Sequence, residues 1–324
     1  MATIVTHESH DVDDQAESLN GFRQFYEQLG RGRFHGSVWQ LMADEGFLLR
    51  EAANRGLRQH FSPPVDHVTL AVPLAVESGS VFAGRPLERE SLLVLRPEEE
   101  YDLVSAGELE VIGLSVHQSL LDGLAPAKVE WLRQAQDERN LPLAPEVATA
   151  IRHMLLAVSA DAEREIDSLT EGAAEADLLT STLTQTVILA MTGDRAEHAN
   201  HIPRRADTRM KVVRRAVDFM RARLHDDIGV ADICQAACAS RRSLQYCFEE
   251  FLHTTPQAYL RALRLNEARR TLKLGESQAI TMLASELGFA SASHFTRHYK
   301  LMFDELPSET LKAYGINPAG GARL

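Results

Sequence analysis

The chain has 324 residues, 44% of them apolar, and a formal net charge of −12. That length supports two hydrophobic cores, and so acidic a total weighs against the whole surface meeting nucleic acid. No run approaches the roughly 18 apolar residues of a membrane span, and the acidic opening MATIVTHESHDVDDQAE does not read as a signal peptide.

From about residue 34 to 117 the sequence alternates short β-type runs with turn chemistry: HGSVWQLM, GFLLREA, HVTLAVPLAV, SVFAG, SLLVLRP, YDLVS and ELEVIGLSV. Gly46, Gly56, Pro63-Pro64, Gly79, Gly84 and Gly107 punctuate them. Many short strands at near-regular spacing predict a β-barrel or sandwich. Inward aromatic and polar candidates for a ligand pocket are Phe34, Trp39, His60, Phe61, His67 and Tyr101, although aromatics at strand spacing more often form core. His35, His60, His67 and His117 stand isolated, without the His-x-His or two-His-one-carboxylate spacing of a metal centre. No nucleophile-elbow, phosphate-loop or dinucleotide motif occurs either, so neither catalytic residues, a metal nor a cofactor is expected.

From 118 the pattern turns helical, with apolar faces over 145–159 and 175–192. The stretch RAEHANHIPRRAD, residues 195–207, has the proline and mixed charge of a linker. Charge also divides there. Residues 204–324 hold 19 Lys and Arg against 13 Asp and Glu, whereas 1–203 hold 15 against 33. One basic domain attached to an acidic one is expected where only one of them meets phosphate.

The C-terminal third contains an internal repeat. Residues 240–260, SRRSLQYCFEEFLHTTPQAYL, align at an offset of 51 with 291–311, SASHFTRHYKLMFDELPSETL. In the first copy Leu244, Cys247, Phe248, Phe251 and Leu252 trace one buried helix face, with Ser240 placed as N-cap. The second copy puts Phe295, Tyr299, Met302 and Phe303 inside. Each follows a short helical stretch, VADICQAA at 230–237 and AITMLASEL at 279–287, so the repeated unit is a helix-turn-helix. Gly288 suits the left-handed end of the second short helix, and Cys238 stands in the comparable place of the first. Between the copies, Thr255, Pro256 and a following Gly275 delimit a connector helix of about 20 residues, roughly 30 Å long. That length suits two adjacent major grooves, roughly 34 Å apart. The three cysteines, Cys234, Cys238 and Cys247, read as small core residues of a reduced, cytoplasmic protein.

On these two half-motifs, the stretch LGFASASHFTRHYK, the R-L-N-E-A-R-R segment and the paired prolines, residues 208–314 resemble the DNA-binding domain of AraC/XylS-family regulators. Leu306 departs from that pattern, standing where Ser or Thr usually caps. The resemblance implies an α+β chain: a sensory and dimerisation domain over 1–194, a cupin-like barrel or sandwich with helices; a linker at 195–207; and an all-α DNA-binding domain with two helix-turn-helix motifs over 208–324. It implies double-stranded promoter DNA, RNA polymerase, a second copy of the chain and a small-molecule effector as partners, no membrane, and activation more often than repression. FSPPVDHVTLAVPL and EEEYDLVSAGELEVIGLSV, with SRRSLQYCFEEFL, are similar to the ethanolamine-utilisation subgroup, which suggests an amine or amino-acid-like effector. A protein partner in place of the metabolite, or no ligand at all, stays open.

Residue roles on the DNA side follow from the helix faces. Arg242, Gln245 and Tyr246 in the first copy and Ser293, His294 and Arg297 in the second are placed to meet base edges. Ser240, Arg241, Ser291, Thr296 and Lys300 are placed for the backbone, which positions without specifying sequence. For each of them a merely solvated helix face is the competing reading.

Overall fold

Alternation of apolar and polar residues builds the first unit of the chain, Met1–Tyr26 with Phe34–Pro203, in a computed structural model. The structure describes residues 2–164, 172–192, 204–275 and 279–314. The strands begin with β1 (Thr3–Ser9), β2 (Arg23–Gln28), β3 (Gly36–Ala43), β4 (Gly46–Ala53), β5 (Leu57–Ser62) and β6 (His67–Val76). They continue with β7 (Val81–Phe82), β8 (Arg85–Pro86), β9 (Ser91–Leu95), β10 (Tyr101–Val104), β11 (Leu109–His117) and β12 (Asn140–Pro142). A seven-stranded antiparallel sheet runs β1-β3-β4-β11-β6-β9-β12, and a five-stranded sheet runs β2-β5-β10-β7-β8. The β3–β4 hairpin closes with Ala43 opposite Gly46. Gly46 has φ +151°, and a Cβ there would meet the Ser115 carbonyl oxygen at 2.3 Å, so no other residue fits.

Helices α1 (Val12–Ser18), α2 (Pro126–Glu138), α3 (Pro145–Arg164) and α4 (Gly172–Thr192) complete this unit. The period-2 pattern sends neighbouring residues to opposite faces. Leu41, Leu48, Leu70, Val72, Ile112 and Leu114 share a core with Leu132, Ile151, Leu155 and Leu183 of the helices. Val38, Phe47 and Leu49 join a separate cluster, and Phe82, Leu93, Leu95, Tyr101 and Leu103 another. Each such large apolar side chain contributes about 1.5–3 kcal/mol by burial. Helices α3 and α4 thus cover the sheet with Ile151, Leu155, Leu179 and Leu183.

Of the buried carboxylates of this unit, Glu51 is held without a cationic partner among the described residues. Glu51 accepts hydrogen bonds from the Tyr26 hydroxyl at 2.8 Å and Gln15 Nε2 at 3.1 Å. Burial raises its carboxyl above the ordinary range, against the opposing effect of those two bonds.

The second unit consists of Arg204–Leu324 together with a short segment from far upstream, Glu27–Arg33. Its helices are α5 (Arg204–Ala222), α6 (Val230–Ala236), α7 (Arg241–Leu252), α8 (Pro256–Leu274), α9 (Ile280–Glu286), α10 (Ala292–Phe303) and α11 (Pro307–Tyr314). Residues 195–203 of the expected linker lie outside the described residues, and 204–207 form the first turn of α5. The connector α8 is the hub. It has 19 residues, is capped by Thr255 and stopped by Gly275 at φ 70°, and buries Tyr259, Leu260, Leu263, Leu265, Ala268 and Leu272. Helices α6 and α7 pack with α5, and α9, α10 and α11 gather around the second half of α8.

The cysteine expectation needs correcting. Cys247 is buried, but Cys234 is half-buried and Cys238 is exposed. Cys238 sits beyond the end of α6 at φ 51°, a position where the side chain turns away from the helix core.

Candidate nucleic-acid interface

The two helix-turn-helix units obey the same local rules. Ser240 caps α7 by accepting from the Ser243 N–H at 3.1 Å, and Ser291 caps α10 by accepting from the His294 N–H at 3.2 Å. Each of those helices ends in a left-handed residue that is not glycine, His253 at φ 49° and Asp304 at φ 56°. Each turn also opens on a left-handed residue, Cys238 in the first and Gly288 at φ 68° in the second. From there the first unit reaches its cap in two residues and the second in three, Phe289, Ala290 and Ser291. The offset of 51 therefore holds only from the caps onward. Leu306, which lacks a capping side chain, is compensated by the Glu309 carboxylate, which accepts its N–H at 2.6 Å.

The faces turned outward carry the expected residues. Arg241, Arg242, Ser293, His294, Arg297 and Lys300 are exposed, and Gln245 and Thr296 are half-buried. Among the described residues Arg241, Arg242, Arg297 and Lys300 have no acidic partner, which leaves their charge for an external anion. Three side chains are engaged within the protein, Gln245, Tyr246 and, with His298, His294. Gln245 Nε2 donates to Glu249 at 2.6 Å. Tyr246 is 53% exposed, yet the Arg209 guanidinium lies over its ring at 5.5 Å and reaches its hydroxyl at 3.4 Å. Arg209 is in turn paired with Glu250 at 3.0 Å, so Tyr246 is presented as a held ring.

His294 and His298 meet on α10 with their Nε2 atoms 3.0 Å apart. Burial is the largest cause holding His298 below the ordinary imidazole value, followed by the charges of Arg261, His294, Arg297 and Arg31. Arg31, Arg261 and Arg297 thus lie within electrostatic reach of His298. Among the described residues no group of three His, Cys, Asp or Glu is placed to hold a metal ion.

The R-L-N-E-A-R-R segment of α8 serves architecture. Arg264 donates to the carbonyls of Leu224 and Asp226 at 3.1 and 2.7 Å, closing the chain end after α5. Arg269 pairs with Glu305 and lies over the Phe303 ring at 4.8 Å. Asn266, 2% exposed, holds the upstream segment: its Oδ1 accepts from the Gln28 N–H at 3.0 Å, and its Nδ2 donates to the Gln28 carbonyl at 2.9 Å. Glu27 is clamped between Arg221 at 2.9 Å and the Tyr259 hydroxyl at 2.8 Å. Sequence reasoning missed this strap. Its only signal was a polar Asn inside an otherwise buried helix face.

In the first unit three of the ligand-pocket candidates, His60, Phe61 and Tyr101, lie together on the paired strands β5 and β10, and the other three stand apart. Phe61 and Tyr101 stack with Phe82 at centroid distances of 6.4 and 5.5 Å. His60 faces Asp102 at 3.2 Å, beside the buried Arg58–Asp102 pair. His67 packs on Phe47 and His117, and Phe34 belongs to the cluster around Tyr26 and Leu57. Trp39 alone lines a cleft of about 730 Å³, between strands β1, β3, β4 and β11 and helix α3. The cleft's charged residues are Glu8, Arg50, Glu110 and Glu163, with His7 beside them. Arg50 is paired with Glu110, while Glu8 and Glu163 have no cationic partner among the described residues.

Comparison with known proteins concentrates on the C-terminal third. The helix-turn-helix domain family matches residues 233–313. The chain is 35% identical over 103 residues to the probable thc operon regulatory protein of Rhodococcus erythropolis, 31% of each chain. It is 35% identical over 94 residues to the HTH-type transcriptional regulator ArgR of Pseudomonas aeruginosa, 29% of this chain and 28% of that one. A solved regulator with an AraC-type DNA-binding domain from Chromobacterium violaceum is 31% identical over 36% of this chain and 99% of its own, with a TM-score of 0.32. The chain covers under a third of the length of either curated relative. Among the described residues no helix is long and apolar enough to cross a membrane.

Proposed function

From the premise that its C-terminal unit is a tandem helix-turn-helix of the AraC/XylS type, we propose that this chain is a sequence-specific DNA-binding regulator of transcription. One observation carries the proposal. Two N-capped helices with unpaired cations on their outer faces, Arg241 and Arg242 on one and Arg297 and Lys300 on the other, stand at the two ends of a single connector helix. Nineteen residues of α-helix span about 28 Å, close to one turn of B-DNA. In this reading Arg242, Tyr246, His294 and Arg297 meet base edges. Ser293 adds a hydroxyl, and Gln245 adds its carboxamide once Glu249 releases it. Arg241, Thr296 and Lys300 meet phosphate, and the N-terminal hydroxyls of Ser240 and Ser291 remain caps that also approach it.

The first unit is the sensor and the dimerisation partner in this proposal, and activation by polymerase recruitment is its output. The xylDLEGF operon protein of Pseudomonas putida, 34% identical over 100 residues, is described as a transcriptional activator. For the effector, the cleft beside Trp39 has the size of a metabolite pocket, and its unpaired Glu8 and Glu163 suit an amine better than an anion. The phosphate-free chemistry of an amine or amino-acid-like molecule fits it.

The test is selection of bound duplexes from a random library by the full chain. A recovered motif with two halves supports the proposal, and recovery of unrelated sequences contradicts it. The sensor reading is tested by thermal unfolding against small amines and amino acids. A ligand bound only by the folded state adds about 2.7 kcal/mol at a hundredfold its dissociation constant. Flat midpoints across amines would contradict the effector assignment and leave DNA binding standing.

A further inference from the structure

The segment Glu27–Arg33 is built into the DNA-reading unit, and it brings uncompensated charge with it. Its one acid, Glu27, is buried and spent on Arg221 and Tyr259. Gln28 is fixed at both backbone atoms by Asn266, and its side-chain amide donates to the carbonyls of Gly30, Gly32 and Met302 at 2.8, 2.7 and 2.9 Å. Leu29 packs against the core formed by Leu265, Leu287, Phe295 and Phe303. The Gly32 N–H donates to the Met302 carbonyl at 2.9 Å, with Gly32 itself at φ 101°. A tight turn rich in glycine is thereby pinned to the last turn of α10.

Arg31 occupies that turn, exposed and without an acidic partner among the described residues. Met302 lies four residues beyond His298, about 6 Å along the helix axis. An arginine next to the Gly32 anchor spans that distance, and its charge acts on His298 together with those of Arg261 and Arg297. Four cations therefore gather around the second reading helix, Arg31, Arg261, Arg297 and Lys300, and among the described residues none is neutralised. Like charges held together at a surface cost free energy unless an anion binds there. The first turn of the helix offers neutral groups, Ser293, His294 and Thr296, and Lys300 is its one phosphate-facing cation in this reading, so a neighbouring element that brings a cation adds to the charge that meets the backbone.

We propose that Arg31, delivered by the docked strap, is a phosphate-contacting residue of the DNA interface beside the second helix-turn-helix. The inference rests on the DNA-binding reading given above. It means that the interface is assembled from two distant parts of the chain, and that a fragment beginning at residue 204 lacks one of its contacts.

The test uses the full chain and a labelled 40-base-pair duplex of mixed sequence, titrated by fluorescence anisotropy between 50 and 200 mM salt. Each phosphate contact contributes about 0.9 to the slope of log affinity against log salt. Arg31→Ala should lower the slope by about that amount, so that its deficit against wild type shrinks about 3.5-fold across the range. Arg31→Lys should keep the slope, and the thermal midpoint of both variants should match wild type because the side chain is exposed. A wild-type slope and affinity in Arg31→Ala, with Arg297→Ala impaired, would overturn this inference alone. A wild-type protein with no salt-dependent binding to any duplex would overturn the DNA reading, and this inference with it.

Discussion

Replacing Asn266 by alanine should release the strap. The side chain makes two bonds to Gln28, N–H to Oδ1 at 3.0 Å and Nδ2 to carbonyl at 2.9 Å, and a third to the Ala262 carbonyl at 2.8 Å. Both residues are 2% exposed, so water cannot replace what is lost. Two orphaned backbone groups cost about 1–3 kcal/mol each. Alanine recovers about 0.6 kcal/mol through better helix propensity. The net loss should be about 1.4–5.4 kcal/mol, which corresponds to local opening roughly 10- to 7,000-fold more frequent. Hydrogen exchange read by mass spectrometry on peptides covering 27–33 and 256–274 measures this directly. Asn266→Asp should be worse still, since it keeps the acceptor but sets a carboxylate against the Gln28 carbonyl. Unchanged protection of the Gln28 and Gly32 amides in Asn266→Ala would refute the reasoning.

Three further outcomes are expected. Burial raises the Glu51 carboxyl, so the stability linked to it is present below the ordinary carboxyl range and lost as pH rises through the folded value. Glu51→Gln should therefore raise the thermal midpoint at pH 7 more than at pH 4, and a gain independent of pH would count against it. Ser240→Ala and Ser291→Ala should each cost about 1 kcal/mol in denaturant unfolding, through loss of the caps on α7 and α10. Arg242→Ala should weaken binding by about 1–3 kcal/mol and relax preference at one base pair of a selected site, whereas a uniform loss over all sequences would reassign it to phosphate.

Local signals were legible in the sequence wherever the physics is local. The repeat at 240–260 and 291–311, its serine caps and the stop at Gly275 all depend on residues within one turn of each other. The longer strands were legible for the same reason, because HVTLAVPLAV and ELEVIGLSV are apolar, β-branched runs bounded by turn residues. Strand β1 was not, since Thr3–Ser9 is largely exposed and polar along the sheet edge. The short pairings of β8 and β12 carry too few residues to show a period. Least legible was the strap. EQLGRGR has no periodicity, and its partners Asn266 and Met302 lie 238 and 274 residues away from Gln28. For the pocket candidates, spacing marks which residues point inward, whereas their convergence depends on the fold of the whole sheet: Trp39 borders the cleft beside α3, and Phe61 and Tyr101 stack on Phe82.

The most direct test of the tandem reading is a base-interference footprint of the full chain on a site selected from random sequence. Two protected major-groove patches on one face of the duplex, about one helical turn apart, are the predicted result, with Arg242→Ala erasing one patch and Arg297→Ala the other. A single patch, or two whose spacing varies freely between selected sites, would contradict a pair of reading helices held by one rigid connector.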